Sequence, residues 1–294
     1  MKNALLFGLL ALFWGGSFVA IKFVLAGLPP MTGAALRVVL ALMSLYAILK
    51  ALGKSTAVPW ESRWRLWLTG LFSQGIPFAL LFWGERLIPA GLAGLINGTS
   101  PVWTFLMGAA LGREPHARSP RALGGLGLGL LGTALIFAPS IRMGGSSQEA
   151  AGALACLGMA LCYGVGAILA RTVLVGERAV DVYAGAVHQQ WSSTVFLVLL
   201  AALMEGPPRA VPPAPALGAV VYLGFFSTAL AFLIYFRLIR DWGSLKASAV
   251  TYVMPVITLL LDRLIFGRWP HPAEAAGAAV VLGGVLLLHS AKSS

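Results

Sequence analysis

The chain has 294 residues, of which 59% are hydrophobic and only 11% are charged. Soluble domains carry about 25% charged residues, so this composition excludes a soluble globular protein and predicts an integral membrane protein surrounded by lipid. The formal net charge of +11 at pH 7 is spread over short loops rather than gathered in a basic patch or tail. We therefore expect no nucleic-acid partner and attribute the excess positive charge to loops kept in the cytoplasm.

Ten apolar segments follow one another along the chain, each near the roughly 20 residues that a helix needs to cross a bilayer. The first half contains Ala4–Leu25, Met31–Ala51, Leu66–Trp83, Leu87–Leu111 and Ala122–Ala138. The second half contains Ala150–Ala170, Val182–Met204, Leu217–Leu238, Ser244–Phe266 and Pro272–Leu288. We therefore predict an all-α polytopic membrane protein with ten transmembrane helices.

An internal repeat relates the two halves. At an offset of 154 residues, the pattern G-x-F-S-x4-F of the third segment returns in the eighth, and Pro101 returns as Pro255. Each proline is followed by G-R-x-P, at residues 112–115 and 267–270. Because five spans is an odd number, the second half enters the membrane from the opposite side, as in many secondary transporters. We predict an inverted 5+5 repeat around a central cavity, with repeats at 1–140 and 149–294 and a linker at 141–148.

Lysine and arginine set the orientation of membrane proteins with short loops, because positively charged loops stay in the cytoplasm. With a cytoplasmic N-terminus, 14 of the 21 lysine and arginine residues fall on the cytoplasmic side. We therefore predict a multi-pass protein of a bacterial-type inner membrane, with both termini in the cytoplasm.

Three prolines inside the predicted spans are candidate hinges: Pro77, Pro101 and Pro255. A proline inside a helix frees a backbone carbonyl and kinks the helix. Lipid does not satisfy a freed carbonyl, so such a break faces protein or a water-filled cavity. Kinks satisfied by neighbouring helices are the competing interpretation. Matching breaks in the two halves favour a binding site.

Polar and aromatic residues near these prolines are the candidate substrate contacts. Trp14 and its repeat counterpart Tyr163 lie mid-span, and their rings are suited to stacking on a planar or cationic group. Amides and hydroxyls would bind the polar groups of the same substrate, although packing and interhelical hydrogen bonds explain such residues equally well. The predicted substrate-binding residues are Trp14, Ser73, Gln74, Phe78, Asn97, Trp103, Tyr163, Thr251 and Tyr252.

Charged residues inside a bilayer are costly and usually functional. Arg37 and His188 are the deepest in the predicted spans. Glu85 is followed directly by Arg86, so we expect these two to pair locally and no isolated buried carboxylate to remain. Uniport, exchange, and coupling through His188 or a carboxylate at the rim therefore all stay open as mechanisms.

Small residues form stripes in the fifth and tenth segments. The pattern G-x-G-x-x-G at Gly127–Gly132 lies inside an apolar helix, without the preceding strand that a dinucleotide site needs. Close helix packing explains the stripes, either as scaffold or as a dimer face, so we expect a monomer or a homodimer. The stripes are Gly125 and Gly129 in the fifth segment and Ala275, Ala279 and Gly283 in the tenth.

The sequence carries no recognisable nucleophile elbow, pair of catalytic carboxylates, set of metal ligands or phosphate-binding loop. We therefore expect no enzymatic activity, no metal and no cofactor. A membrane enzyme with an unrecognised site is the less favoured alternative to a transporter.

These features together resemble the EamA family of exporters in the drug/metabolite transporter superfamily. The resemblance rests on the five-plus-five repeat, Trp14-Gly15-Gly16, Arg37 early in the second span, the mid-span proline followed by Gly112–Glu114, and the glycine-rich fifth span. Trp269 departs from the pattern, because the family commonly has an acidic residue there.

The resemblance implies a central cavity lined by spans one, three, four, six, eight and nine. It also implies export of small metabolites by alternating access. A YddG-like exporter of neutral and aromatic amino acids is the expected member, and quaternary cations, drugs or other metabolites are the alternative cargoes.

Overall fold

The computed structural model describes residues 2–111, 119–138, 146–177, 179–207, 211–266, 269 and 271–290, apart from the side chains of residues 258 and 261–266. Every regular element in these ranges is a helix. The first G-R-x-P pattern, most of the second, and residues 141–145 of the predicted linker lie outside the described residues.

The helices of the two halves follow the predicted segments. The first half contains α1 (Lys2–Gly15), α2 (Ser17–Leu25), α3 (Pro30–Ala51), α4 (Trp60–Gly70), π1 (Leu71–Gly75), α5 (Ile76–Leu87), α6 (Ala90–Asn97), α7 (Ser100–Ala110) and α8 (Pro120–Phe137). The second half contains α9 (Ser147–Leu174), α10 (Val182–Met204), α11 (Ala214–Val221), π2 (Tyr222–Leu230), α12 (Ala231–Trp242), α13 (Ser244–Ser248), α14 (Val250–Phe266) and α15 (Pro272–Ser290).

Eight helical segments in the described residues are long and apolar enough to cross a membrane, so the chain is a multi-pass membrane protein. They are Lys2–Leu25, Pro30–Ala51, Trp60–Leu87, Pro120–Phe137, Ser147–Leu174, Val182–Met204, Ala214–Trp242 and Pro272–Ser290. A further helical segment, Ser244–Ile257, is apolar but shorter.

The fourth and ninth predicted spans are each interrupted before the proline. Two turn residues, Gly98 and Thr99, separate α6 from α7, and Pro101 lies in the first turn of α7, where a missing N–H breaks no helical bond. In the ninth span the interruption is at Ala249, and Pro255 lies inside α14. The two breaks therefore differ in their distance from the proline.

Spans three and eight each contain a wide π-helical turn, π1 and π2, at positions related by the repeat. These turns hold the repeated serines Ser73 and Ser227. Pro77 is the second residue of α5, two residues after the end of π1, so its missing N–H falls near the irregular turn. Such π turns are frequent at functional sites, and here the serine of each turn is buried.

Helices α8 and α15 pack backbone to backbone along their glycines. A Cβ at Gly125 would lie 2.7 Å from the Gly284 carbonyl oxygen, and one at Gly132 would lie 2.7 Å from that of Gly277. Gly125 and Gly129 are therefore scaffold residues, as the stripe predicted. In the tenth segment, the residues that form the contact are not the predicted ones. Gly277, Val281 and Gly284 face α8. The predicted residues Ala275, Ala279 and Gly283 are exposed.

Helices of the two halves interdigitate around the centre. Helix α9 of the second half packs against α5 and α7 of the first half, and α3 packs between α10 and π2. Helix α1 in turn packs against α12 and α14. This arrangement brings side chains from both halves to one central space.

Candidate functional site

A cavity of about 650 Å³, including the space at its opening, lies where the two halves meet. Its walls come from α1, α2, α3, π1, α5, α6, α7, α9, α12, α13 and α14. Six of the nine predicted substrate contacts line it, namely Trp14, Ser73, Phe78, Asn97, Tyr163 and Thr251. The other lining residues are Ser17, Phe18, Arg37, Leu81, Ser100, Thr104, Ala167, Phe232, Tyr235, Ser248 and Met254.

Arg37 is the charged residue in this lining, and it is only 2% exposed. Its Nε donates to Thr228 Oγ1 at 2.8 Å, and its Nη2 donates to the carbonyl and hydroxyl oxygens of Ser227 at 3.3 and 3.4 Å. The guanidinium lies over the ring of Phe78, 3.9 Å from its centroid. The remaining nitrogen, Nη1, has no hydrogen-bond partner. Arg37 therefore lines the cavity and keeps one guanidinium nitrogen, Nη1, without a hydrogen-bond partner.

The wide turn π2 explains how Arg37 is held. Thr228 Oγ1 donates back to the Leu223 carbonyl oxygen at 2.7 Å, five residues earlier, which fixes the hydroxyl and leaves its oxygen as an acceptor. The Ser227 carbonyl accepts both from Arg37 and from the indole Nε1 of Trp14, the latter at 2.9 Å. A single irregular turn thus orients a buried cation and an aromatic ring.

Aromatic rings form one wall of the cavity. Trp14 lies 5.6 Å from Phe232 and 5.1 Å from Tyr235 between ring centroids. Phe78 lies 6.3 Å from Phe232, and Tyr163 lines the same space from α9. Tilted and edge-on pairs of this kind leave ring faces and edges available to a planar apolar group.

Hydroxyl groups from α7, α13 and α14 form another part of the lining. The hydroxyls of Ser100 and Thr104 donate to the carbonyls of Asn97 and Ser100, at 2.7 and 3.0 Å. Those of Ser248 and Thr251 donate to carbonyls three residues earlier, at 2.8 and 3.0 Å. Their hydrogens are engaged within the helices, so their oxygens offer lone pairs to a donor in the cavity.

Three predicted contacts lie outside the lining. Gln74 is fully buried, and neither amide atom has a hydrogen-bond partner. The indole Nε1 of Trp103 donates to Thr99 Oγ1 at 3.1 Å. The Tyr252 hydroxyl donates to the Leu126 carbonyl at 3.2 Å, which directs this ring towards α8.

A second cavity adjoins the first and shares Phe18, Asn97, Thr251 and Met254 with it. Pro255 lines this second cavity, together with glycines of α6 and Phe137 of α8. Pro77 and Pro101 are buried and lie outside the lining of both cavities.

Glu85 does not form the local pair with Arg86 that the sequence predicted. It is 0% exposed, and neither carboxyl oxygen has a hydrogen-bond partner, whereas the neighbouring Arg86 is exposed. The expected local pair is therefore wrong, because adjacent residues on a helix point in different directions. Lys22 binds instead to the backbone of this region, donating to the carbonyls of Glu85 and Ile88, the latter at 2.8 Å.

His188, the other deep titratable residue, lies away from the cavity. Its Nε2 is 3.1 Å from the Thr56 carbonyl oxygen in the connection after α3. Of the two deep residues noted in the sequence, only Arg37 reaches the cavity, and the sequence signal for it was a positive charge inside a span.

The lining residues that the sequence did not predict as contacts are mostly small or apolar. Ser17 and Phe18 lie three and four residues beyond Trp14, and Ser100 lies three residues beyond Asn97. Helical spacing from a predicted contact was the available signal for these residues, because positions three or four apart share one helix face. Ala167, four residues beyond Tyr163 in α9, fits the same rule.

The model of the EamA-like transporter family matches residues 1–138 and 150–290. A "Probable terminal-alkyne amino-acid exporter" of Streptantibioticus cattleyicolor is 28% identical over 71% of this chain and 67% of its own length. A "Probable amino-acid metabolite efflux pump" of Salmonella typhimurium is 24% identical over 97% of this chain and 94% of its own length. A crystal structure with 23% sequence identity superposes with a TM-score of 0.80 over 97% of this chain and 96% of that chain, a similarity in fold.

Proposed function

Because the chain belongs to the EamA-like transporter family, we propose that it exports amino acids, with neutral and aromatic ones preferred. As a member of a transporter family it acts on a small molecule from within the membrane. Export of amino acids is the specific function that the cavity and two relatives support.

The observation that supports this proposal most strongly is Arg37, which lines the cavity and whose buried guanidinium has one nitrogen, Nη1, without a hydrogen-bond partner. A buried donor without a partner costs free energy, and a carboxylate entering the cavity would satisfy it with a charge-assisted hydrogen bond. Such bonds contribute about 1.5–3 kcal/mol each. Arg37 is therefore the proposed site for the carboxylate of the substrate.

The rest of an amino acid has matching partners in the same cavity. The hydroxyls of Ser100, Thr104 and Thr251 donate to backbone carbonyls, which leaves their oxygen lone pairs to accept hydrogen bonds from the ammonium group of a zwitterion. The rings of Trp14 and Tyr163 provide surface for an aromatic or aliphatic side chain. A donor, a set of acceptors and an apolar wall together suit a zwitterion with an apolar side chain.

The two named relatives support the same substrate class, since both are described as exporting amino acids or their metabolites. Their identity to this chain is 28% and 24%, so the substrate assignment rests mainly on the cavity.

We also propose the ten-span, 5+5 inverted architecture, with α6–α7 and α13–α14 as the fourth and ninth spans. Repeats at 1–140 and 149–294, joined by a linker at 141–148, agree with the two matched segments of the family model. The excess of lysine and arginine in alternate loops supports a bacterial-type inner membrane with both termini in the cytoplasm. Alternating access would use the irregular helices beside Pro77, Pro101 and Pro255 as hinges.

A quaternary cation or drug is the alternative cargo. The aromatic wall would suit a cation, but the charged residue that lines the cavity is Arg37, whose positive charge opposes one. No carboxylate lines the described part of this cavity to offset that charge. An anionic or zwitterionic substrate is therefore favoured.

Efflux from liposomes tests this function. Liposomes that contain the purified protein are preloaded with labelled phenylalanine, leucine, lysine or a quaternary ammonium dye. They should release phenylalanine and leucine faster than protein-free liposomes with the same load. Arg37→Gln should lose most of this release, whereas Arg86→Gln, which changes an exposed arginine, should retain it. Absence of protein-dependent release for every amino acid would overturn the proposal.

A further inference from the structure

Glu85 is a buried carboxyl group that the proposed binding of substrate does not use. Among the described residues, Glu85 and Glu274 are the buried carboxylic acids, and they differ in their partners. Glu274 accepts a hydrogen bond from the His271 amide at 2.7 Å. Both carboxyl oxygens of Glu85 lack a partner. A buried carboxylate without hydrogen-bond partners costs free energy, and such a group usually takes up a proton instead.

Glu85 lies next to the central cavity. Phe78 and Leu81 line that cavity from α5, and Glu85 follows on the same helix face, one turn beyond Leu81. The elements packed against α5 are α2, α3, π1, α6 and α9. Four charged or titratable groups on these helices interact electrostatically with Glu85: Lys22 on α2, Arg37 on α3, and Cys156 and Tyr163 on α9. The elements π1 and α6 contain no charged or titratable residue.

Lys22 is the group that could exchange partners with Glu85. Its ammonium binds the backbone carbonyls of Glu85 and Ile88, which ties α2 to the end of α5 beside the cavity. An ionised carboxylate is a stronger acceptor for an ammonium than an amide carbonyl is. Loss of a proton from Glu85 would therefore draw Lys22 from the carbonyls to the carboxylate and loosen this tie.

We propose that Glu85 is the proton-binding residue that couples substrate export to a proton gradient, with Lys22 as its partner when the proton leaves. This inference rests on the proposed transport of amino acids. Glu85 would bind a proton on one side of the membrane and release it on the other, while the substrate moves in the opposite direction. With a zwitterionic substrate, the proton is the net charge that crosses.

The test compares two transport modes of the same purified protein in liposomes. Exchange of labelled for unlabelled phenylalanine at equal pH does not require net proton movement. A pH difference of one unit can drive roughly tenfold accumulation of a substrate exchanged for one proton. We expect Glu85→Gln to retain exchange within about twofold of wild type and to lose the response to the pH difference. The matched control Glu274→Gln should keep both.

Two outcomes would overturn the inference while leaving amino acid transport intact. These are exchange in the wild type without any effect of the pH difference, and a Glu85→Gln variant that responds as the wild type does. Absence of exchange in the wild type would instead contradict the proposed function itself.

A second measurement uses the wild-type protein and does not depend on how Glu85→Gln folds. Dicyclohexylcarbodiimide modifies protonated carboxyl groups in apolar surroundings, and mass spectrometry locates the product. We expect modification of Glu85 that decreases as pH rises. Modification of Glu85 that is absent or independent of pH would overturn the proposal.

Discussion

The glycine contact between α8 and α15 makes a quantitative prediction. A Cβ added at Gly132 would lie 2.6 Å from the Val281 amide nitrogen and 2.7 Å from the Gly277 carbonyl oxygen. Both atoms belong to the backbone of α15, so the two helices must separate. Overpacking of this kind costs about 1–3 kcal/mol, while replacing a helical glycine by alanine regains about 0.5–1 kcal/mol.

With mid-range values of about 2 kcal/mol for the cost and about 0.75 kcal/mol for the gain, Gly132→Ala should reduce stability by about 1.2 kcal/mol. At about 2–4 °C per kcal/mol, the melting temperature of the detergent-solubilised protein should fall by about 2–5 °C. Gly127→Ala is the matched control on the same helix, because a Cβ there meets nothing within 4 Å. A Gly132→Ala variant that melts at or above the wild-type temperature would refute the close backbone packing.

Three further substitutions separate structural from substrate-binding residues. Tyr252→Phe removes the hydrogen bond to the Leu126 carbonyl and should lower the free energy of unfolding by about 1 kcal/mol. The KM for transport should not change, and a raised KM would contradict the placement of Tyr252 outside the cavity. Glu205→Ala removes the carboxylate that accepts from the Met31 and Thr32 amides at the start of α3, so it should lower the free energy of unfolding by about 1–2 kcal/mol. The melting temperature should fall accordingly, and an unchanged melting temperature would contradict this capping role. Thr228→Val removes the acceptor of Arg37 Nε and should raise KM about tenfold, whereas a wild-type KM would argue against this positioning role.

The sequence predicted which kinds of residue line the cavity better than it predicted the exact positions of those residues. The apolar segments indicated where helices lie, because length and hydropathy largely set where a chain crosses the bilayer. The sequence contains no pattern that predicts the wide turns π1 and π2. The repeated serines, Ser73 and Ser227, marked their positions without indicating their geometry.

Neighbouring residues account for the predicted contacts that fall outside the cavity. Ser73 and Thr251 line it, whereas the adjacent Gln74 and Tyr252 do not. Consecutive residues on a helix point about 100° apart, so both members of such a pair rarely face one space. Trp103 lies outside the lining for the same reason, next to the lining residue Thr104. Proximity in sequence to a proline therefore identified the right region but not the right face.

The same geometry explains why Glu85 was missed. Its neighbour Arg86 offers charge compensation in the sequence but points elsewhere in the fold, where it is exposed. What surrounds Glu85 depends on α2, α3 and α9, which are distant in sequence. Only the packed structure reveals that a carboxyl group inside a span lacks hydrogen-bond partners.

Recognition of the substrate carboxylate by Arg37 is the central claim, and one binding comparison tests it directly. Phenylalanine and its amide share the ring and the ammonium group, but only the acid carries a carboxylate. We expect the wild type to bind phenylalanine at least about tenfold more tightly than its amide. Arg37→Gln should remove most of this difference. Equal binding of the two ligands by the wild type, or an undiminished preference in a folded Arg37→Gln variant, would contradict it.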